Sequence, residues 1–225
     1  MFIFNRTNPL YPMKTVYTLL FLFGTLILFG QNTIEEDITK LKAYVEAEDY
    51  RSAMSLADKL IGEGVKEGYE DHAGDVYLFR GIAKFNFEIF DDAIVDFKHA
   101  ITFNRNLTQS YLYIAEIYYD LNQYSSALEN IIYFNENHPK DVHGLAVKSK
   151  CLLQIGEPMA AKIIIQKAIA LVSSEPELYY VRSAINSALG EDAKACTDAR
   201  IAVRFGYEAA NDLVTAFCID QEAEK

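Results

Sequence analysis

Few side chains in this sequence could carry out chemistry, and none of them forms a recognisable catalytic or metal site. The histidines are His72, His99, His138 and His143. His138 and His143 flank a turn at a spacing that does not place them on one helical face, so they predict no metal site. Asp91 and Asp92 resemble a carboxylate pair, but acidic residues are also favoured at a helix N-terminus by its dipole. With no nucleophile beside a base and no phosphate-binding loop, the sequence predicts no enzyme, no metal and no cofactor.

The composition predicts a folded helical protein with an acidic surface. Of 225 residues, 51% are hydrophobic and 13% aromatic, which is enough for a buried core. The 11 glycines and 5 prolines are thinly spread, which favours long helices with short connections. A net charge of −11 repels phosphate backbones, so nucleic acid is not an expected partner. A basic or apolar protein partner suits this surface; alternatively, the acidic residues only keep it soluble.

Residues 1–30 differ in kind from the rest of the chain. The run VYTLLFLFGTLILFG, from Val16, carries no charge and follows Lys14 and Arg6. As a helix it would span roughly 22 Å, short of the roughly 30 Å core of a bilayer. This pattern favours a signal peptide cleaved after Gly30, with Met1 or Met13 as the start. The alternative is an uncleaved membrane anchor.

Cleavage would increase the acidic character of the protein. It would remove two basic residues and leave 19 basic against 32 acidic residues, a net charge of −13. The expected location is therefore outside the cytoplasm, either periplasmic or secreted, and the junction has a bacterial character. The alternative location is a membrane, held by the uncleaved segment.

The remainder of the chain repeats itself every 34 residues. Two columns of small residues recur at this spacing: Ala93, Ala127, Ala161 and Ala195, and Gly81, Ala115, Ser149 and Ser183. Within each copy, apolar residues recur at intervals of three and four, which indicates two amphipathic helices. Short polar breaks such as NQY, GEP and GED separate the two helices. The unit is therefore predicted to be a helical hairpin whose small residues allow close helix contact.

These columns resemble the tetratricopeptide repeat (TPR) family, whose repeat is also 34 residues long. The segment RGIAKFNFEIFDDAIVDFKHAI, from Arg80, is the most similar copy, and Pro139 stands where the family often has proline. Lys84 and Asn186 depart from the pattern at a position usually aromatic, and Pro158 replaces another aromatic residue. The resemblance implies an all-α fold, an α-solenoid of stacked antiparallel helix pairs.

The repeat divides the chain into four predicted regions. Residues 1–30 form the signal segment, and residues 31–66 form a degenerate first unit, displaced by six extra residues in GEGVKEGYED. Residues 74–206 form four units at regular spacing. Residues 207–225 form a capping helix and tail, which solenoids need to cover their apolar end. The ending Ala202, Gly206, Ala209 also resembles Sel1-like repeats.

The cysteines acquire a meaning from these elements. Cys196 lies on the second helix of the last unit, and Cys218 lies on the predicted capping helix beside it. In an exported protein the two thiols are expected either to form a disulfide or to remain two small buried residues. Cys151 shares a helix face with apolar residues and is expected to be a core thiol.

The resemblance also implies a binding surface, because the first helix of each unit lines the concave side of such solenoids. The predicted partner-binding residues on this side are Leu78, Ile82, Leu112, Glu116, Tyr119, Lys150 and Tyr180. Phe85 and Leu153 lie on the same stripe, but we expect the neighbouring unit to bury them in part. Leu78 and Ile82 stand where chaperone-binding members have lysine and asparagine, so that specificity is not expected.

The predicted function is a non-enzymatic scaffold or adaptor that binds a peptide or a partner helix on the concave side. The alternative is a membrane-anchored subunit of a larger envelope complex. An enzyme would need a polar pocket with a titrating group, and a self-assembling structural protein would use the same surface for its own copies. The sequence specifies neither the partner nor the oligomeric state.

Overall fold

A computed structural model describes residues 35–62 and 70–218 of the chain. Every regular element within those ranges is helical. The elements are α1 (residues 35–46), α2 (Tyr50–Gly62), α3 (Ala73–Asn86), α4 (Phe90–Phe103), α5 (Gln109–Asp120), α6 (Tyr124–Asn137), α7 (Val142–Gln154), α8 (Pro158–Leu171), α9 (Pro176–Ala188), α10 (Asp192–Arg204) and α11 (Asn211–Phe217), with 3₁₀ turns at Glu70–His72 and Glu208–Ala210. The helices pack as consecutive antiparallel pairs, which confirms the predicted all-α solenoid.

The predicted signal segment lies outside the described residues, as does most of GEGVKEGYED. Among the residues that the structure covers, no helix combines the length and the apolar composition needed to cross a bilayer.

The turn between the two helices of a pair has the same backbone in successive units. A residue with positive φ follows each first helix at Glu88, Asn122, Gly156 and Gly190, at the 34-residue spacing. Glu48 occupies this position between α1 and α2, with a φ of 57°. This left-handed residue reverses the chain so that the second helix begins beside the first.

Small residues lie where the helices of each pair cross. The alanines of the repeat, Ala93, Ala127, Ala161 and Ala195, are completely buried. Phe97, Ile131 and Ile165 follow one turn later on the same helices and are also completely buried. The periodicity of the sequence is therefore the periodicity of the core.

The C-terminal end of the solenoid is closed by α11, which packs against α10. A disulfide joins Cys196 on α10 to Cys218, directly after α11, with Cα atoms 5.1 Å apart. No residue within the seven-residue α11 is itself buried. The covalent link therefore compensates for the small apolar contact of this last helix.

Candidate functional site

The first helices of successive pairs, α3, α5, α7 and α9, are direct neighbours and form one continuous side of the solenoid. We call this side the groove face. The second helices α4, α6 and α8 each pack between two of them. A side chain on the groove face can therefore contact the next unit, 34 residues along the chain.

Three of the predicted groove residues do not lie on the surface. Leu78, Ile82 and Leu112 have only 8, 7 and 5% of their surface exposed and belong to the hydrophobic core. Stacking of the next hairpin covers these positions, so their place in the binding set is corrected to a structural one. Phe85 is partly buried against the ring of Tyr113 in the next unit, at 5.3 Å between centroids.

The other predicted residues, Glu116, Tyr119, Lys150 and Tyr180, are all partly exposed on the groove face. Two of them form ion pairs that cross from one unit to the next. Glu116 on α5 accepts a hydrogen bond from Nε2 of His143 on α7, at 2.6 Å. Lys150 on α7 donates to Oε1 of Glu177 on α9, at 2.9 Å.

These two links use the same repeat positions with the charges reversed. Both span 27 residues, so each joins the ninth residue of one unit's repeat pattern to the second residue of the next. His143 and Glu177 were not predicted as site residues, although the 27-residue spacing between opposite charges was readable in the sequence. His143 lies on α7 rather than in a loop.

The ion pairs shift the titration of both cations. The hydrogen bond to Glu116 raises the pKa of His143, and partial burial opposes this rise without cancelling it. Burial also acts to lower the pKa of Lys150, but its hydrogen bond and charge interaction with Glu177 outweigh that effect, and the pKa is raised. Both groups are therefore held in their charged forms by neighbouring carboxylates.

A small cavity of about 100 Å³ opens between α3, α5 and α7. Its lining combines aromatic and charged side chains: Phe85, Glu116, Tyr119, Asp120, Val147 and Lys150. The Lys150 ammonium lies 5.7 Å from the centroid of the Tyr119 ring. Burial and the nearby Glu116 raise the pKa of Asp120, which shows that negative charge accumulates at this point.

Tyrosine pairs extend the apolar part of the groove face. The rings of Tyr119 and Tyr124 are 5.4 Å apart, and those of Tyr180 and Tyr207 are 5.0 Å apart. Tyrosine offers a large apolar ring with a polar tip, a combination common at protein interfaces. The face can therefore hold apolar side chains beside acidic ones.

The reactive groups of the described residues do not assemble into a catalytic arrangement. They include no cluster of three or more potential metal ligands. Burial raises the pKa of the Cys151 thiol to about 11, which makes it a poor nucleophile at neutral pH. His138 contacts the Thr108 hydroxyl at 2.7 Å and lies away from His143.

Comparison with known proteins gives the fold. No family model and no curated protein sequence matches the chain. Solved structures do match: MamA AMB-1 is 16% identical with a TM-score of 0.64, over 75% of this chain and 96% of that one. MamA 41-end from Desulfovibrio magneticus RS-1 is 13% identical with a TM-score of 0.65, over 76% and 94%.

A third similar structure is TTC0263, a thermophilic TPR protein in Thermus thermophilus. It is 13% identical with a TM-score of 0.59, over 82% of this chain and 97% of that one. The chain is therefore a helical solenoid of TPR-like fold. At these identities the likeness establishes the fold alone.

Proposed function

We propose that the chain is a non-enzymatic scaffold or adaptor that binds an extended peptide or a partner helix across the groove face. The observation that carries this proposal is the cavity beside Tyr119, where an exposed aromatic ring lies among Glu116, Asp120 and Lys150. The TPR-like solenoids that the chain resembles offer an extended surface of this kind, which supports the proposal.

The charges of the face indicate the chemistry of the partner. His143 and Lys150 are each already paired with a glutamate, whereas Asp120 makes no salt bridge within the part of the chain described. A lysine or arginine side chain of a partner would pair with Asp120 and lie over the Tyr119 ring. The partner we propose is therefore a segment with a basic residue beside an apolar one.

The proposed location is outside the cytoplasm, periplasmic or secreted. The disulfide between Cys196 and Cys218 supports this proposal, because structural disulfides persist in oxidising compartments. A membrane-anchored form would expose the same domain to the same environment. Mass spectrometry of the native protein separates the two, since a mature chain that begins at Gln31 excludes the anchor.

The experiment that tests binding places a photocrosslinking benzophenone residue at position 119, on the groove face. The matched control carries it at Ile163, which is 66% exposed on α8, away from this face. We expect a crosslinked protein at position 119 only. Its binding, measured with the purified partner by fluorescence anisotropy, should weaken at least tenfold with Tyr119→Ala and stay unchanged with Ile163→Ala. Equal crosslinking at both positions, or unchanged binding of the Tyr119→Ala variant, would overturn the proposal.

A further inference from the structure

A second polar cleft lies on the other side of α9, away from the groove face. It has a volume of about 340 Å³ between α8, α9 and α10. Arg182 and Asn186 enter it from α9, whereas Tyr180 and Glu177 project from the opposite side of that helix. This cleft, which we call the fourth-unit cleft, is therefore separate from the site proposed above.

The centre of the cleft is a buried ion pair. Arg182 donates from Nε to Oδ2 of Asp198 at 2.8 Å and from Nη2 to Oδ1 at 2.6 Å. Asp198 is 4% exposed. Both contacts use one edge of the guanidinium, so its Nη1 group remains available to a further acceptor.

The same pair occurs three repeats earlier, and there the third donor has a partner. Arg80 makes the same two bonds to Asp96, and its Nη1 donates to Asp58 on the preceding helix at 2.8 Å. In the repeat register, the residue equivalent to Asp58 is Gln166 on α8. The first unit thus shows a carboxylate bound where the fourth-unit cleft has none.

The charges around the two pairs differ in sign. Around Arg80 the equivalent positions hold Lys84 with three aspartates, Asp58, Asp92 and Asp96, which leaves one net negative charge.

In the fourth-unit cleft, Lys194 replaces Asp92, and Lys162 lies beside it. Glu191 pairs with both lysines, and Asp198 pairs with Arg182. One net positive charge remains, which favours an anionic ligand.

A buried acceptor in the cleft also lacks a partner. Asn186 is 2% exposed and donates through Nδ2 to Asp198, but its Oδ1 has no hydrogen bond. An unsatisfied buried carbonyl oxygen is costly and calls for an N–H or O–H donor. The ligand should therefore carry a donor next to its anionic group.

We propose that the fourth-unit cleft binds a carboxylate that has an amide N–H beside it. The carboxylate accepts from Nη1 of Arg182, in the position that Asp58 occupies at Arg80, and the N–H donates to Oδ1 of Asn186. Two sources carry this chemistry, the terminal carboxylate of a peptide and an aspartate side chain with its own main-chain amide.

The test follows the Nε–Hε and side-chain amide NMR signals of Arg182 and Asn186 in the native, disulfide-linked protein. The probes, at constant ionic strength, are N-acetylglycine, which has a terminal carboxylate, and N-acetylaspartate α-amide, which has only a side-chain carboxylate. We expect at least one of them to give a saturable shift at Arg182, while the Arg80 signal stays still. N-acetylglycinamide lacks the carboxylate and should give no shift.

The decisive variant is Gln166→Asp, which supplies the missing carboxylate from the chain itself. It should weaken the probe at least tenfold, whereas the matched Gln166→Asn variant should bind as the wild type does. Unchanged binding in Gln166→Asp overturns the proposal, as does the absence of any saturable shift with either carboxylate probe. An equally strong response to inorganic phosphate would also overturn it, because the site would then recognise charge rather than a carboxylate. None of these outcomes bears on the groove face.

Discussion

Gly81 lies so close to Phe97 that a side chain at position 81 has no room. A Cβ atom built on Gly81 would stand 2.7 Å from Cε1 of the Phe97 ring. The ring is completely buried and is stacked on Tyr113, with centroids 5.1 Å apart, so it cannot move aside. Where the next unit has Ala115, the residue facing it is the smaller Ile131, so the two positions vary together.

The first prediction is that Gly81→Ala destabilises the protein although alanine favours a helix. Overpacking of this kind typically costs about 1–3 kcal/mol, against a gain of up to about 1 kcal/mol in helix propensity. Urea unfolding should show a lower midpoint for Gly81→Ala, and Phe97→Ile in that background should restore part of the loss. A midpoint equal to or above the wild-type value would contradict the tight contact.

The second prediction concerns the two buried aspartates. Asp96 accepts from two cations, Arg80 and Lys84, whereas Asp198 accepts from one, Arg182. Removing the charge of a buried acceptor leaves its partners uncompensated and costs about 3–5 kcal/mol in the most buried cases. We therefore expect Asp96→Asn to lower the free energy of unfolding more than Asp198→Asn does, as measured by chemical denaturation. Equal losses would mean that Lys84 contributes nothing to this network.

The ion pairs also explain what the sequence reading identified only as irregular. Lys84 and Asn186 depart from the aromatic residue expected at their position, which suggested looser packing. Both side chains instead bond to the buried aspartate of their unit. The departure and the aspartate belong together, and the signal was the recurrence of Arg80 and Asp96 three repeats later.

The periodicity predicted the hairpins because it records contacts within one unit. It did not predict which groove positions stay exposed, because that depends on how far the next hairpin covers them. Leu78 and Leu112 are buried by that stacking, whereas Tyr119 remains partly exposed. Charge links between units, such as Glu116 with His143, likewise depend on the angle between hairpins rather than on one helix.

The third prediction is a pH dependence of the groove face. Since the Glu116 hydrogen bond raises the pKa of His143 above its ordinary value of 6.5, the link stabilises the fold fully below the unfolded pKa and is lost as the pH rises through the folded pKa. NMR titration should therefore give His143 a pKa above 6.5. Glu116→Gln should lower it, whereas the exposed control Glu129→Gln on α6 should not. An unshifted titration in Glu116→Gln would show that the pair does not persist in solution.

The fourth prediction concerns the disulfide at the end of the solenoid. It closes a loop with a sequence separation of 22, for which loop entropy gives about 3 kcal/mol. We expect the Cys196→Ala, Cys218→Ala double variant to lose that amount and to exchange its α11 amides faster, while the amides of α5 stay protected. Hydrogen exchange followed by mass spectrometry reports both regions in one experiment. Unchanged α11 protection would show that packing alone holds the last helix.

The fifth prediction compares two glycines that differ only in backbone conformation. Gly190 has a φ of 71° in the turn between α9 and α10, whereas Gly62 ends α2 without a positive φ. Neither would bring an added Cβ within 4 Å of another atom, so packing plays no part in the comparison.

An L-residue in the left-handed region costs roughly 1–2 kcal/mol, while alanine at an unstrained helical position gains up to about 1 kcal/mol over glycine. Gly190→Ala should therefore lower the unfolding midpoint and Gly62→Ala should leave it equal or raise it. Gly190→Asn should fall between wild type and Gly190→Ala, because asparagine tolerates this conformation better; Asn122 already occupies the same turn position with a φ of 59°. If Gly190→Ala were as stable as the wild type, the turn would have another conformation open to it, and the left-handed residue would not be what sets the angle between the two helices.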